Sequence, residues 1–171
     1  MFTFVLALVF ASGAAAGATV PETVDAAAFP NYRVLAPGVA AAGQPSVEGL
    51  RALEGLGFRT VINLRTEKEP GVAEEKRIVE EAGLRYVHVP VSVSSFSAAD
   101  VDRVAKVLDD PTSGPVLLHC ASANRVGAVW TVLQVRKGKS HPEAEAEGRT
   151  IGLGGAMLDA VRRVVETETA N

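Results

Sequence analysis

The 171-residue chain has one cysteine, three histidines, and no lysine or arginine before Arg33. A single cysteine excludes an internal disulfide and any zinc site built from several thiolates. The histidines, His88, His119 and His141, have no supporting carboxylate pattern around them, so no metal centre and no cofactor are expected. A formal net charge of −3 gives no basic field to attract nucleic acid or an anionic membrane surface. The apolar run from Phe2 to Ala11 is too short to span a bilayer, so no stable membrane span is expected.

That run is followed by the small residues Ser12 to Ala18, with cleavage options after Ala16 or Ala18. The pattern predicts a secretory signal peptide over residues 1–18, although its usual cationic start is missing. Export would place the protein in the periplasm or outside the cell; without cleavage it stays cytoplasmic. Residues 19–30 read as an Ala-rich lead segment with little pattern. Residues 31–171, within a chain that is 47% hydrophobic, are enough for one domain with a proper core.

Within the domain, strand and helix patterns alternate. Tyr32 to Ala42 predicts two short strands about Pro37-Gly38. Ser46 caps a helix predicted to reach Leu56. Arg59–Leu64 and Arg85–Val91 read as strands flanking a Val72–Glu81 helix. A serine-rich loop runs from Ser92 to Ser97, and Ser97 with Asp100 reads as a capping box for a helix to Leu108. Val116–His119 is the next strand, and a helix then runs to Lys137 and stops at Gly138. Two closing helices, about 142–150 and 156–168, are separated by Gly152-Leu153-Gly154-Gly155. That run follows no strand and reads as a turn, not a nucleotide loop. The alternation predicts an α/β fold: a mostly parallel central sheet with helices on both faces. Trp130 reads as core, and Glu67, Glu69, Glu74 and Glu75 as a solvated face.

The most informative stretch is Val116-Leu117-Leu118-His119-Cys120-Ala121-Ser122-Ala123-Asn124-Arg125-Val126-Gly127. It is a strand, a tight loop and a helix start, with the lone cysteine where strand meets loop. Such a loop aims backbone N–H groups and a helix N-terminus at one point, a ready anion site. The helix dipole and Arg125 both favour a thiolate at Cys120. The alternative is a small buried hydrophobe. A reactive thiol is expected at the mouth of a pocket.

These residues resemble the phosphatase-like domain of the beta-lactamase hydrolase-like protein family, within the protein tyrosine and dual-specificity phosphatase-like superfamily. Ala42-Gly43-Gln44-Pro45, Thr60-Val61-Ile62-Asn63-Leu64-Arg65 and Val87-His88-Val89-Pro90-Val91 fit the same family in the same order. The resemblance implies a cysteine-phosphatase-like fold and a hydrolase acting on phosphate esters. It makes Cys120 the candidate nucleophile and Arg125 a bidentate oxyanion fork. The backbone N–H groups of Ala121, Ser122, Ala123, Asn124 and Arg125 would complete the cradle. The Ser122 and Asn124 side chains either donate to the anion or hold the loop. His119 is expected to point away from the loop and to orient it. Gly127 is expected to allow close helix packing.

Three features depart from the phosphatase pattern. Four residues lie between Cys120 and Arg125; the phosphatases have one more, and the shorter spacing is that of rhodanese sulfurtransferases. The Ser92–Ser97 loop has no acid where the phosphatases carry a proton donor; Asp100 is the nearest candidate, in the first turn of a helix. Val126 stands where they commonly have Ser or Thr. Two further readings therefore remain: a sulfurtransferase passing sulfur through a Cys120 persulfide, and a module that binds an anion without turnover. The expected partner is a phosphorylated or sulfur-containing small substrate or protein.

Overall fold

A computed structural model describes residues 19–170; the leader expected over residues 1–18 lies outside them. Five short strands form one sheet: β1 (Arg33–Ala36), β2 (Val39–Ala42), β3 (Thr60–Asn63), β4 (Arg85–His88) and β5 (Val116–His119). Their order is β1-β2-β5-β3-β4. Only the β1–β2 pair is antiparallel; β2–β5, β5–β3 and β3–β4 are parallel. The helices are α1 (Val47–Ala52), α2 (Val72–Glu81), α3 (Ala98–Leu108), α4 (Asn124–Arg136), α5 (His141–Ile151) and α6 (Ala156–Thr169). Among the described residues no helix is long and apolar enough to cross a membrane.

The two sheet faces carry separate cores, as the side-chain alternation of strands requires. Ala41, Ile62 and Leu118 face α3, α4 and α6 through Val101, Val104, Val129 and Val161. Ala40, Val61 and Leu117 face α1 and α2 through Leu50, Ile78 and Val79. Every residue of the central strand β5 is buried, so it reads as a continuous apolar run until His119. Parity then decides the site: His119 falls on the α2 face with Leu117, while Cys120 joins the core on the α4 face.

Several expected elements are shorter than their sequence pattern. The helix predicted to Leu56 ends at Ala52, because Phe58 N–H folds back onto Leu53 O at 3.1 Å and Gly57 turns the chain at φ +90°. Beyond His88, Val89 N–H and Val91 N–H still donate to Asn63 O and Leu64 O, at 3.0 and 3.1 Å. Pro90, without an N–H, interrupts the regular ladder between them. The 19–30 segment is docked: Val20 and Phe29 are buried, Tyr32 Oη donates to Pro21 O at 2.7 Å, and Ser46 N–H donates to Ala28 O at 2.9 Å.

Behind the loop, α4 crosses α5 at two glycines. A Cβ at Gly127 would lie 2.7 Å from Gly148 O and 2.9 Å from Leu153 N. A Cβ at Gly148 would lie 2.0 Å from Thr131 Oγ1. Only glycine permits this approach, which sets how α4 meets the rest of the domain.

Candidate active site

The loop Ala121–Ala123 leaves the carboxyl end of β5, in the middle of the sheet, and runs directly into α4. Open parallel sheets bind their ligands at this end. Two carbonyls of the loop point outward: Ala121 O accepts from Gln44 N–H at 3.0 Å, and Ser122 O accepts from Asn31 Nδ2 at 3.4 Å. In a planar trans peptide the following N–H points the opposite way. The N–H groups of Ser122 and Ala123 therefore face away from those partners. Ala123 reverses the chain in the left-handed region, at φ +67° and ψ 0°. An alanine resists that conformation, and nothing in the residue type announces it. The Asn124 side chain is occupied with the turn between α5 and α6: its Nδ2 donates to Gly154 O at 3.3 Å, and its Oδ1 accepts from Gly154 N–H at 3.2 Å. Its amide holds the loop. The Ser122 residue is exposed.

Cys120 is buried, with 1% of its surface exposed. The thiol therefore lies beneath the loop rather than at the open mouth expected from the sequence, because its position continues the buried strand. Burial alone would suit an inert cysteine. What distinguishes it is Arg125, which stands against Cys120. The hydrogen bonds that Arg125 donates to Glu69, followed by charge attraction to Cys120 and to Glu69, hold its guanidinium above its ordinary pKa despite partial burial.

Arg125 is turned inward, its side chain 14% exposed. Nη1 donates to Glu69 Oε1 at 2.5 Å and reaches Leu64 O and Val91 O, each at 3.3 Å. Nη2 donates to Glu69 Oε2 at 2.8 Å. The end-on face of the fork is thus taken. One Nη2 hydrogen and Nε–H, the side edge, donate to none of these oxygens. The hydrogen bonds from Arg125, opposed by burial and aided by Thr66, hold the Glu69 carboxyl at a pKa of about 2.

Glu75 overturns the expectation of a solvated acidic face. It exposes 2% of its surface and accepts from three side chains: His119 Nε2, Asn63 Nδ2 and Gln44 Nε2, each at 2.8 Å. Burial would push its carboxyl up. The bond and charge of His119, then Gln44 and Arg65, outweigh burial and hold it below the usual range. An ionised carboxylate only accepts, so His119 carries its proton on Nε2. Arg65 links the two acids, with Nη1 3.6 Å from Glu75 Oε2 and Nε 3.4 Å from Glu69 Oε2. A chain of hydrogen bonds and ion pairs, His119–Glu75–Arg65–Glu69–Arg125, therefore joins the residue before Cys120 to the arginine that ends the loop. Gln44, Asn63 and Arg65 sit in the motif segments visible in the sequence, but their roles were not legible there. For Glu75 the available signal was helical phase, since Val72, Glu75, Ile78 and Val79 share the buried face of α2.

Asp100 is placed apart from this chain. Its Oδ2 accepts from Ser97 N–H at 2.9 Å and Ser97 Oγ at 3.1 Å, and its Oδ1 pairs with Arg103. Glu67 lines a separate surface cavity of about 290 Å³ with Lys76, Tyr86 and His88.

Residues 37–163 match the model of a family described as DSP-PTPase phosphatase fused to NAD+ kinase. The chain belongs to this phosphatase family. Its members are hydrolases by that description, and the cysteine-phosphatase fold expected from the motifs is the one observed. Two curated relatives are beta-lactamase hydrolase-like proteins. One, from Xylella fastidiosa, is 32% identical over 136 residues, 75% of this chain and 31% of the relative. The other, from Agrobacterium fabrum, is 29% identical over 134 residues, 75% of this chain and 30% of the relative. The chain thus spans about a third of their length. Among solved structures, a DUF442 protein of Shewanella putrefaciens CN-32 superposes with a TM-score of 0.68 at 21% identity, covering 83% of this chain and 90% of that one. TpbA of P. aeruginosa gives 0.67 at 21%, covering 90% and 98%. The core catalytic domain of the S. cerevisiae PP-IP phosphatase Siw14 gives 0.66 at 16%, covering 81% and 88%. At these identities the three structures establish the fold alone.

Proposed function

We propose that this member of the family is a cysteine-dependent phosphatase acting on phosphate esters. Cys120 is the nucleophile. The side edge of Arg125 and the N–H groups of the loop hold the phosphoryl oxygens. The Cys120 thiolate attacks phosphorus, the ester oxygen departs, and water hydrolyses the phosphocysteine. The observation that carries this reading is Arg125 held inward by Glu69 and interacting with Cys120, with the side edge of its fork left untaken by Glu69. Support for the substrate class comes from TpbA, a variant of which is known in complex with pTyr.

The short Cys120–Arg125 spacing favours a second reading, sulfur transfer through a Cys120 persulfide. The purified protein should be assayed with an aryl phosphate, and separately with thiosulfate plus cyanide. Phosphate release that disappears in Cys120→Ser supports the first reading, and thiocyanate formation alone supports the second. Neither product would leave a module that binds an anion without turnover. Retained activity in Cys120→Ser would remove the covalent mechanism. Export through the 1–18 leader belongs to the same proposal and is tested by N-terminal sequencing of protein from the periplasmic fraction.

A further inference from the structure

The cavity of about 290 Å³ between α2 and the edge strand β4 is lined by Glu67, Val72, Ala73, Lys76, Tyr86 and His88. No residue of the Cys120 loop takes part in it. Tyr86 and His88 alternate along β4 and so share one face of the sheet. Their rings stack, with centroids 6.2 Å apart and planes at 28°. Val72 adds an apolar wall: it is buried, yet it belongs to neither of the two cores.

The polar groups of the cavity are fixed from behind. Asn63 Nδ2 donates to Tyr86 Oη at 2.9 Å, and among the described residues no acceptor takes the phenol's own proton. Burial, then the charge of Glu75, pushes the phenol up to about 12, so it keeps that proton at neutral pH and can donate it. His88 Nε2 lies 2.6 Å from Arg65 O. A carbonyl only accepts, so Nε2 carries the proton, and Nδ1 of the neutral ring is an acceptor. The cavity therefore combines one donor and one acceptor with flat apolar walls, on rings already held in place. Its charges favour no ion. An anion would meet the carboxylate of Glu67, which has no ionic partner among the described residues; a cation would meet the ammonium of Lys76, which is paired with Glu80.

We infer that this cavity is a second binding site, and that it takes a neutral planar ring with an amide-type edge, such as a pyrimidine base. The ring lies against Val72 and the Tyr86–His88 wall. Its carbonyl oxygen accepts from Tyr86 Oη, and its N–H donates to His88 Nδ1. No covalent step is involved, and the site does not depend on what Cys120 turns over.

The test is an NMR titration of the isotope-labelled full chain, with uracil and benzamide as amide probes and benzoate as the charged control. Saturable shifts are expected at the backbone amides of Val72, Ala73, Tyr86 and His88, with a Kd on the order of 1 mM, as suits a single ring. Benzoate is expected to bind roughly tenfold more weakly. Tyr86→Phe removes the donor and should weaken the amide probes by about tenfold. Ala73→Leu, at an exposed position of α2, fills the cavity and should abolish the shifts while the rest of the spectrum stays in place. Shifts that remain linear in probe concentration, that persist in Ala73→Leu, or that centre on residues 122–125 overturn the site. Benzoate binding as tightly as benzamide, or Tyr86→Phe binding the amide probes as tightly as wild type, overturns the ligand chemistry and the inference with it.

Discussion

Both carboxylate oxygens of Glu69 meet the guanidinium of Arg125, at 2.5 and 2.8 Å. The pair fixes the plane of the arginine at the far end of the loop from Cys120. In Glu69→Gln the clamp loses its charge and one of its two acceptors. The side chain of Arg125 then gains freedom that must be removed each time an anion binds. We expect kcat/KM for an aryl phosphate to fall by roughly 10- to 100-fold, a cost of about 1.4–2.7 kcal/mol. Steady-state kinetics check it, and an unchanged or increased kcat/KM would mean that Glu69 competes with substrate instead of positioning Arg125.

The same pair predicts a pH dependence of stability. The folded pKa of Glu69, about 2, lies below its ordinary value of 4.5. A carboxyl depressed on folding contributes stability that is complete above the unfolded value and is lost as pH falls through the folded one. Wild-type stability should therefore decline between pH 4.5 and about 2. Denaturant midpoints measured across that window should decline less steeply in Glu69→Gln, and parallel curves for the two proteins would contradict the assignment.

Removing the buried charge of Glu75 should be costly. Glu75→Gln keeps the shape but replaces one acceptor by a donor, facing Gln44 on one side or Asn63 and His119 on the other. Breaking one member of a buried charged network costs about 3–5 kcal/mol. Urea unfolding checks it; a loss below 1 kcal/mol would show that the network repacks.

At the helix crossing, Gly127→Ala places a methyl group 2.7 Å from Gly148 O. Backbone cannot yield as a flexible side chain does, so the expected loss is about 1–3 kcal/mol. A melting temperature equal to wild type would show that α5 shifts freely.

Asp100 offers a contrast. Asp100→Ala removes the α3 capping box and should cost about 1 kcal/mol of stability, with kcat/KM on activated aryl phosphates little changed from wild type. Thermal denaturation and kinetics on the same preparation separate the two effects.

The strand–loop–helix around Cys120 was legible before any coordinates because its signals are local. An apolar run, a lone thiol, small residues and an arginine before a helical pattern define strand, loop and helix by their order alone. The bounds of α2 and α3 followed from helical phase, from Gly71 and Gly83 at positive φ, and from the Ser97–Asp100 box. Less was legible where a distant partner decides. Glu69 and Glu75 share a strongly charged segment with Glu67 and Glu74, and composition makes the four equivalent. Ala123 carries no mark of its left-handed backbone, since that conformation is imposed by the loop closing between β5 and α4.

The order of residues along the chain determined the α/β alternation, the place of Cys120 at the end of a strand, and the count of residues to Arg125. These depend on contacts a few residues apart. Only the tertiary structure decided that Cys120 lies buried beneath its loop, that Glu69 takes one face of the Arg125 fork, and that Glu75 gathers Gln44, Asn63 and His119. The reason is physical: Glu75 and His119 are 44 residues apart in sequence, and the stability of an ion pair depends on what surrounds it once α2 has docked on the sheet.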